Sequence, residues 1–207
     1  MALTTYGELL TSLEGWLNRT DLTATQTPDF IRLFESRANR LLRMPQMEAT
    51  ATNVGAVAAV ALPTDYLQLR TVKIATKPLK GYSPQEVLSV YATGTAAAGG
   101  GTPTGYSVEG TTLILAPAPS ASVTVEIDYF KSIPALTTTN TTNWLLTNYP
   151  DAYLAGTLAV AYAFLRDDNA AAQRKANWDE VLAEMTLDAE RRRTPAGPLV
   201  ARVRTYD

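Results

Sequence analysis

The hydrophobic period of this chain changes twice, and that limits what it can fold into. Apolar residues recur at helical spacing at both ends and in strict alternation in the middle, so two helical segments are separated by a strand-forming one. Thr5-Tyr6-Gly7-Glu8 has the form of a capping box, in which each side chain satisfies the other residue's backbone N–H. Leu9, Leu10, Leu13, Trp16 and Leu17 follow at helical spacing and predict a first helix ending near Asn18 to Thr20. Thr27-Pro28-Asp29 predicts a second start, with Thr27 as the cap, the proline in the first turn and the aspartate at the positive end of the dipole. Its apolar stripe is Phe30, Ile31, Phe34, Ala38, Leu41 and Leu42. Arg32, Arg37, Arg40 and Arg43 lie mostly off that stripe, and Pro45 ends the helix.

From about Gln46 the composition turns to Ala, Val and Thr. Ala49 to Ala61 and Tyr66 to Ile74 predict a strand pair, the second member alternating well. Ser83-Pro84-Gln85-Glu86 predicts a short helix over 84–91. Residues 93–104 are almost all Gly, Ala and Thr and predict a flexible loop. Tyr106 to Leu115 predicts a tight hairpin turning at Glu109-Gly110, and Val123, Val125, Ile127 and Tyr129 alternate as a strand. A Thr/Asn run at 137–143 predicts a second loop. Asn148-Tyr149-Pro150-Asp151 starts a third helix whose Ala152–Leu165 stretch is apolar on nearly every side, as in a helix packed all round. Asp167-Asp168-Asn169 caps a fourth, with Trp178, Val181, Leu182, Met185 and Ala189 as its stripe and Arg191-Arg192-Arg193 at its C-terminal end. The expected fold is therefore α+β. A four-helix bundle of two N-terminal and two C-terminal helices (1–45 and 144–193) carries an inserted small antiparallel β-sheet or sandwich (46–134), a loop (135–143) and an extended C-terminal tail (194–207).

The chemistry open to the chain is narrow. It has no cysteine and no histidine, which excludes disulfides, thiolate nucleophiles, the commonest zinc ligands and a Ser-His-Asp relay built from this chain alone. Gly99-Gly100-Gly101 lacks the Lys-Ser/Thr ending of a phosphate loop. Asp179, Glu180, Glu184 and Asp188 line one side of the last helix and are best explained as an exposed face, and Asp167-Asp168 as caps. A carboxylate hydrolase would need two acids about 5–10 Å apart across a cleft, and no cleft pattern is visible. Trp16, Trp144 and Trp178 are expected in the core. The arginines of the second helix suit a solvated or inter-subunit face better than a DNA contact, since no aromatic platform is interleaved. Neither cofactor nor metal is expected, and the net charge of −2 provides no global drive toward nucleic acid. The N-terminus lacks the pattern of a signal peptide, and the longest apolar stretch is short of the roughly 20 residues that span a bilayer. The loops at 93–104 and 137–143 and the tail have no obvious role within a monomer. In the tail, Leu199, Val200, Val203 and Tyr206 occur with Arg202 and Arg204 between them, a pattern compatible with strand addition to a neighbour.

Asn143 to Leu154, followed by Phe164-Leu165-Arg166-Asp167-Asp168, resembles the third helix of bacteriophage head-to-tail adaptor (connector) proteins. Similar matches are Thr5-Tyr6-Gly7-Glu8-Leu9, Trp16-Leu17-Asn18-Arg19, Pro28-Asp29-Phe30-Ile31 with Glu35, Arg37 and Asn39-Arg40, and Val108-Glu109-Gly110 with Leu113 and Leu115-Ala116-Pro117. The resemblance runs from the first helix to about Leu187. It implies a non-enzymatic structural protein of the virion, assembled in the host cytoplasm. Such adaptors form a ring, a dodecamer, that joins the portal protein to tail proteins (nozzle, tube or tail-completion) and continues the DNA channel used in genome ejection. DNA passes without specific binding and no membrane is involved. The tail residues Leu199, Val200, Arg202, Val203, Arg204 and Tyr206 become the candidate portal contacts. The alternative is a tail-tube or tail-completion subunit that does not touch the portal.

Overall fold

Local chemistry sets the helix starts. The computed structural model describes residues 3–19, 22, 25–56, 58–91 and 101–193. In it Thr5 caps α1 (Tyr6–Leu17) through the full capping box with Glu8. The second helix, α2 (Gln26–Leu41), has its cap two residues before the expected one. Thr25 takes the cap position, and the side chain of Thr27 is buried in the first turn instead. After a single 3-10 turn at Pro45–Met47 come β1 (Glu48–Ala56), β2 (Ala59–Ala61), β3 (Tyr66–Ile74), β4 (Lys77–Pro78), β5 (Lys80–Gly81) and α3 (Pro84–Tyr91). The Ser83/Glu86 box caps α3 as expected. Then follow β6 (Gly105–Glu109), β7 (Thr112–Ala116), β8 (Val123–Lys131), α4 (Trp144–Asn148), α5 (Pro150–Phe164) and α6 (Asp168–Arg193). The contacts divide the chain into a helical unit, made of residues 1–46 and 133–207, and a β unit, 47–132.

In the helical unit α5 is the enclosed element. From Ala152 to Tyr162 none of its residues is exposed, and α1, α2, α4 and α6 all pack on it. Phe34 of α2 joins three helices. Its ring stands edge-on to Tyr153 of α5 (5.1 Å between centroids) and to Trp178 of α6 (5.0 Å), contacts worth about 0.5–1.5 kcal/mol each beyond burial. It fits because Gly156 leaves bare backbone beneath it: a Cβ there would overlap the Phe34 ring.

The four-helix bundle expected from the sequence is not formed, although the α+β class holds. Among the described residues there are six α-helices and two four-stranded sheets. The physical reason lies in α5. Each member of a four-helix bundle keeps one face in solvent, and a helix apolar all round cannot sit at such a corner. The fifth helix of the unit, α4, and an extended stretch from Ile133 to Asn143 supply the additional cover, with Ile133, Leu136, Leu145 and Leu146 buried. The stretch 137–143, expected as a free loop, is held within the monomer. Thr137 N–H donates to Asn140 O, Asn140 Nδ2 to Ala135 O, and Tyr6 N–H to Thr141 O.

The β unit, expected as a small antiparallel sheet or sandwich, contains two four-stranded sheets. One sheet has the order β1-β8-β3-β4 and the other β2-β7-β6-β5, with β5 and β6 parallel and the other pairs antiparallel. β1 and β3 do not pair with each other but flank β8, the strand with the strongest alternation. Val125, Ile127 and Tyr129 of β8 enter one core with Val72 and with Val60, Leu113 and Leu115 of the second sheet. The β6–β7 hairpin forms as read, with Gly110 at φ +59° in its turn, a conformation open to glycine at no steric cost. Of the loop at 93–104 only Gly101 to Thr104 lie among the described residues, and Gly101 bridges to Pro119. The tail at 194–207 lies outside them.

Replacing Gly156 by alanine separates two opposed effects. Helix propensity alone favours alanine by about 1 kcal/mol, whereas overpacking against Phe34 costs about 1–3 kcal/mol. The Gly156→Ala chain is expected to unfold at lower denaturant concentration than wild type, and a higher midpoint would contradict the packing described.

Candidate functional site

Glu35 is the only charged side chain that is buried among the described residues. It sits four residues after Ile31 and directly after Phe34, on the inward face of α2, so helical periodicity carries it into the core. Its Oε1 accepts from the Leu136 N–H and from the Tyr153 hydroxyl, both at 2.9 Å. Asn143 extends the network, donating from Nδ2 to the Tyr153 hydroxyl oxygen (2.6 Å) and to Pro134 O (2.8 Å) while its Oδ1 caps α4 at Leu146 N–H. One turn along α2, Asn39 Oδ1 accepts from Ile133 N–H at 2.8 Å. Two side chains of α2 and one of α5 thus bond the extended stretch at 133–143, which has no sheet partner of its own.

Burial pushes the Glu35 carboxyl above its ordinary value. The donors Leu136 and Tyr153 and the nearby Arg32 pull it back only in part. Burial, then the facing Glu35 charge, push the Tyr153 hydroxyl far above the usual tyrosine range. A raised carboxyl in a cleft is a recognised sign of acid–base chemistry, but this one is committed to internal donors. The clefts described open elsewhere. One of about 410 Å³ lies over Glu48, Thr50, Arg70 and Asp128 in the β unit, and one of about 570 Å³ runs along Ser12, Trp16 and Leu154 in the helical unit. In the first, Glu48 is paired with Arg70 and Asp128 with Lys73 and the Thr50 hydroxyl. The Lys73 hydrogen bond chiefly holds Asp128 below the usual carboxylate range. Among the described residues no group of three or more Asp or Glu is placed to hold a metal ion.

The acids singled out in the sequence fall where capping and surface chemistry put them. Asp167 Oδ1 accepts from Ala170 N–H at the start of α6. Asp179 pairs with Lys175, and Asp188 accepts from Tyr149 and Arg192. Glu180 and Glu184 lie on the exposed side of α6. Of the three tryptophans expected in the core, Trp178 is fully buried and Trp144 half-buried. Trp16 is 50% exposed, with the Arg174 guanidinium 4.8 Å from its ring centre. Six large apolar side chains are exposed among the described residues. Five belong to the helical unit: Trp16, Leu33, Leu41, Phe164 and Leu187. The tail residues Leu199, Val200, Arg202, Val203, Arg204 and Tyr206 lie outside the described residues.

The SU10 adaptor protein family matches residues 4–202. The chain belongs to that family. No curated protein matches it. The match spans nearly the whole adaptor, helical unit and β unit alike, and it bears out the resemblance to bacteriophage adaptors seen at Asn143 to Leu154 and Phe164 to Asp168. It makes the chain a phage structural protein whose family implies contact with portal and tail proteins. No helix of the adaptor among the described residues is long and apolar enough to cross a membrane.

Glu35 and its neighbours on α5 went unnoticed as a group in the sequence. The available signal was a carboxylate on the stripe Ile31, Phe34, Ala38, Leu42, where burial requires a partner. Because folding raises the Glu35 pKa above the ordinary 4.5, the folded adaptor holds more proton there than the unfolded chain at pH values between the two pKa values. The contribution of this group is therefore most favourable below that value and declines as pH rises toward the folded pKa. The non-titrating Glu35→Gln chain lacks this dependence. Urea unfolding of both across pH 4–7 is expected to show wild type losing stability relative to Glu35→Gln as pH rises, and a constant difference would contradict the buried carboxylate.

Proposed function

We propose that this adaptor forms a ring at the head–tail junction of the virion, joining the portal protein to tail proteins and continuing the DNA channel. The observation that carries the reading is the family match over residues 4–202. Three properties support it. The chain has a near-neutral net charge of −2, suited to a conduit past which DNA slides without counterion-driven retention. Its exposed apolar side chains are concentrated on the helical unit, as expected for a chain that associates. Several of its carboxylates, Asp167, Asp179 and Glu35 among them, serve a cap, an ion pair and the buried network, and the chain has no histidine or cysteine for other chemistry.

Within this reading the C-terminal segment makes the portal contact. Leu199, Val200 and Val203 provide apolar anchors, Arg202 and Arg204 charge, and Tyr206 an amphipathic ring. A segment of alternating residues of this kind can add as a strand to a partner. Removing residues 194–207 is expected to abolish co-sedimentation with assembled portal while leaving the thermal unfolding temperature of the chain unchanged. Unchanged portal binding would remove the tail from the account. Failure of the full chain to bind portal would favour a tail subunit that never meets it.

A further inference from the structure

Two helix faces of the helical unit carry opposite charge around exposed leucines, and neither has a counterpart among the described residues. On α2 the side away from Ile31, Phe34 and Ala38 presents Arg37 and Arg40 with Leu33, which is 57% exposed. On α6 the side away from Trp178 and Met185 presents Glu180 and Glu184 with Leu187, 53% exposed. Elsewhere on these helices local ion pairs join Arg32 with Asp29, Lys175 with Asp179 and Arg192 with Asp188. Among the described residues Arg37, Arg40, Glu180 and Glu184 form none. The faces match in length: Leu33 to Arg40 and Glu180 to Leu187 each span about 10 Å of helix. Each points away from the core that α2 and α6 share through Phe34 and Trp178, so the two cannot meet in one chain.

We infer that the arginine–leucine face of α2 in one copy packs against the glutamate–leucine face of α6 in a second copy. The leucines provide the desolvated centre of the contact, and the charges provide its pairing and register. Because the two faces differ, the contact is head-to-tail. Every copy that joins leaves one face of each kind open, so addition continues until a ring closes. This inference rests on the ring reading and names the surfaces that would build it.

Charge reversal tests it in trans. Chain X carries Arg37→Glu and Arg40→Glu, and chain Y carries Glu180→Arg and Glu184→Arg. X alone and Y alone each set like charges against like and are expected to associate at least about tenfold more weakly than wild type in sedimentation velocity. An equimolar mixture of X and Y restores opposite charges at every contact and is expected to recover wild-type association, which a fold defect in either chain would not allow. The chain has no cysteine, so a second measurement is clean: Leu33→Cys and Leu187→Cys chains, mixed and oxidised, are expected to cross-link to each other in preference to themselves. If wild type assembles and X and Y assemble as well as it does, the assignment of these faces is overturned while the ring reading stands. If wild type forms no multimer, with or without portal, the ring reading fails and the inference with it.

Discussion

The seat of the Phe34 ring on the bare backbone at Gly156 governs the helical unit. It lets α2 approach α5 closely enough for one aromatic side chain to touch both Tyr153 and Trp178, and so to tie α2, α5 and α6 at a single point. Interiors packed to crystal-like density respond to even one added methyl group. The same close approach brings Glu35, the next residue of α2, within hydrogen-bonding distance of Tyr153. Aromatic packing and the polar network are therefore two consequences of one helix crossing.

The network has a clear structural task. An extended stretch with no sheet partner leaves backbone N–H groups that must be satisfied somewhere. At Ile133 and Leu136 they are satisfied by Asn39 and Glu35, and Asn143 closes the stretch by capping α4. Burying a carboxylate is unfavourable unless it is hydrogen-bonded, and Glu35 accepts two such bonds. In return the network fixes where the chain re-enters the helical unit after the β unit. That matters for a protein whose two helical segments are separated by a long insertion in sequence.

Elements defined by nearest neighbours were legible in the sequence. The Thr5/Glu8 and Ser83/Glu86 capping boxes, the Asp167 cap, the β6–β7 hairpin and the alternation of β8 needed only local rules. What escaped was set by partners distant in the chain. Periodicity showed that Ala152–Leu165 is apolar all round, but not that such a helix must lie at the centre of the unit, which is what excludes the four-helix bundle. Composition marked β1 and alternation marked β3 as strands, but neither revealed that β8 lies between them. The Thr/Asn run at 137–143 looked unstructured because its order comes from Tyr6 and from its own turn bonds. Glu35 was masked by its charge, which suggests solvent until Tyr153 and Leu136 are seen facing it.

Membership of the SU10 adaptor protein family and exposed, oppositely charged helix faces give a consistent picture of a chain built to associate. The central claim is that it sits in a closed ring between portal and tail. Electron cryo-microscopy of the intact virion tests it most directly. The account predicts a ring of copies of this chain in contact with the portal on one side and tail proteins on the other. Density for the chain confined to the tail, or present as isolated copies that close no ring, would contradict it.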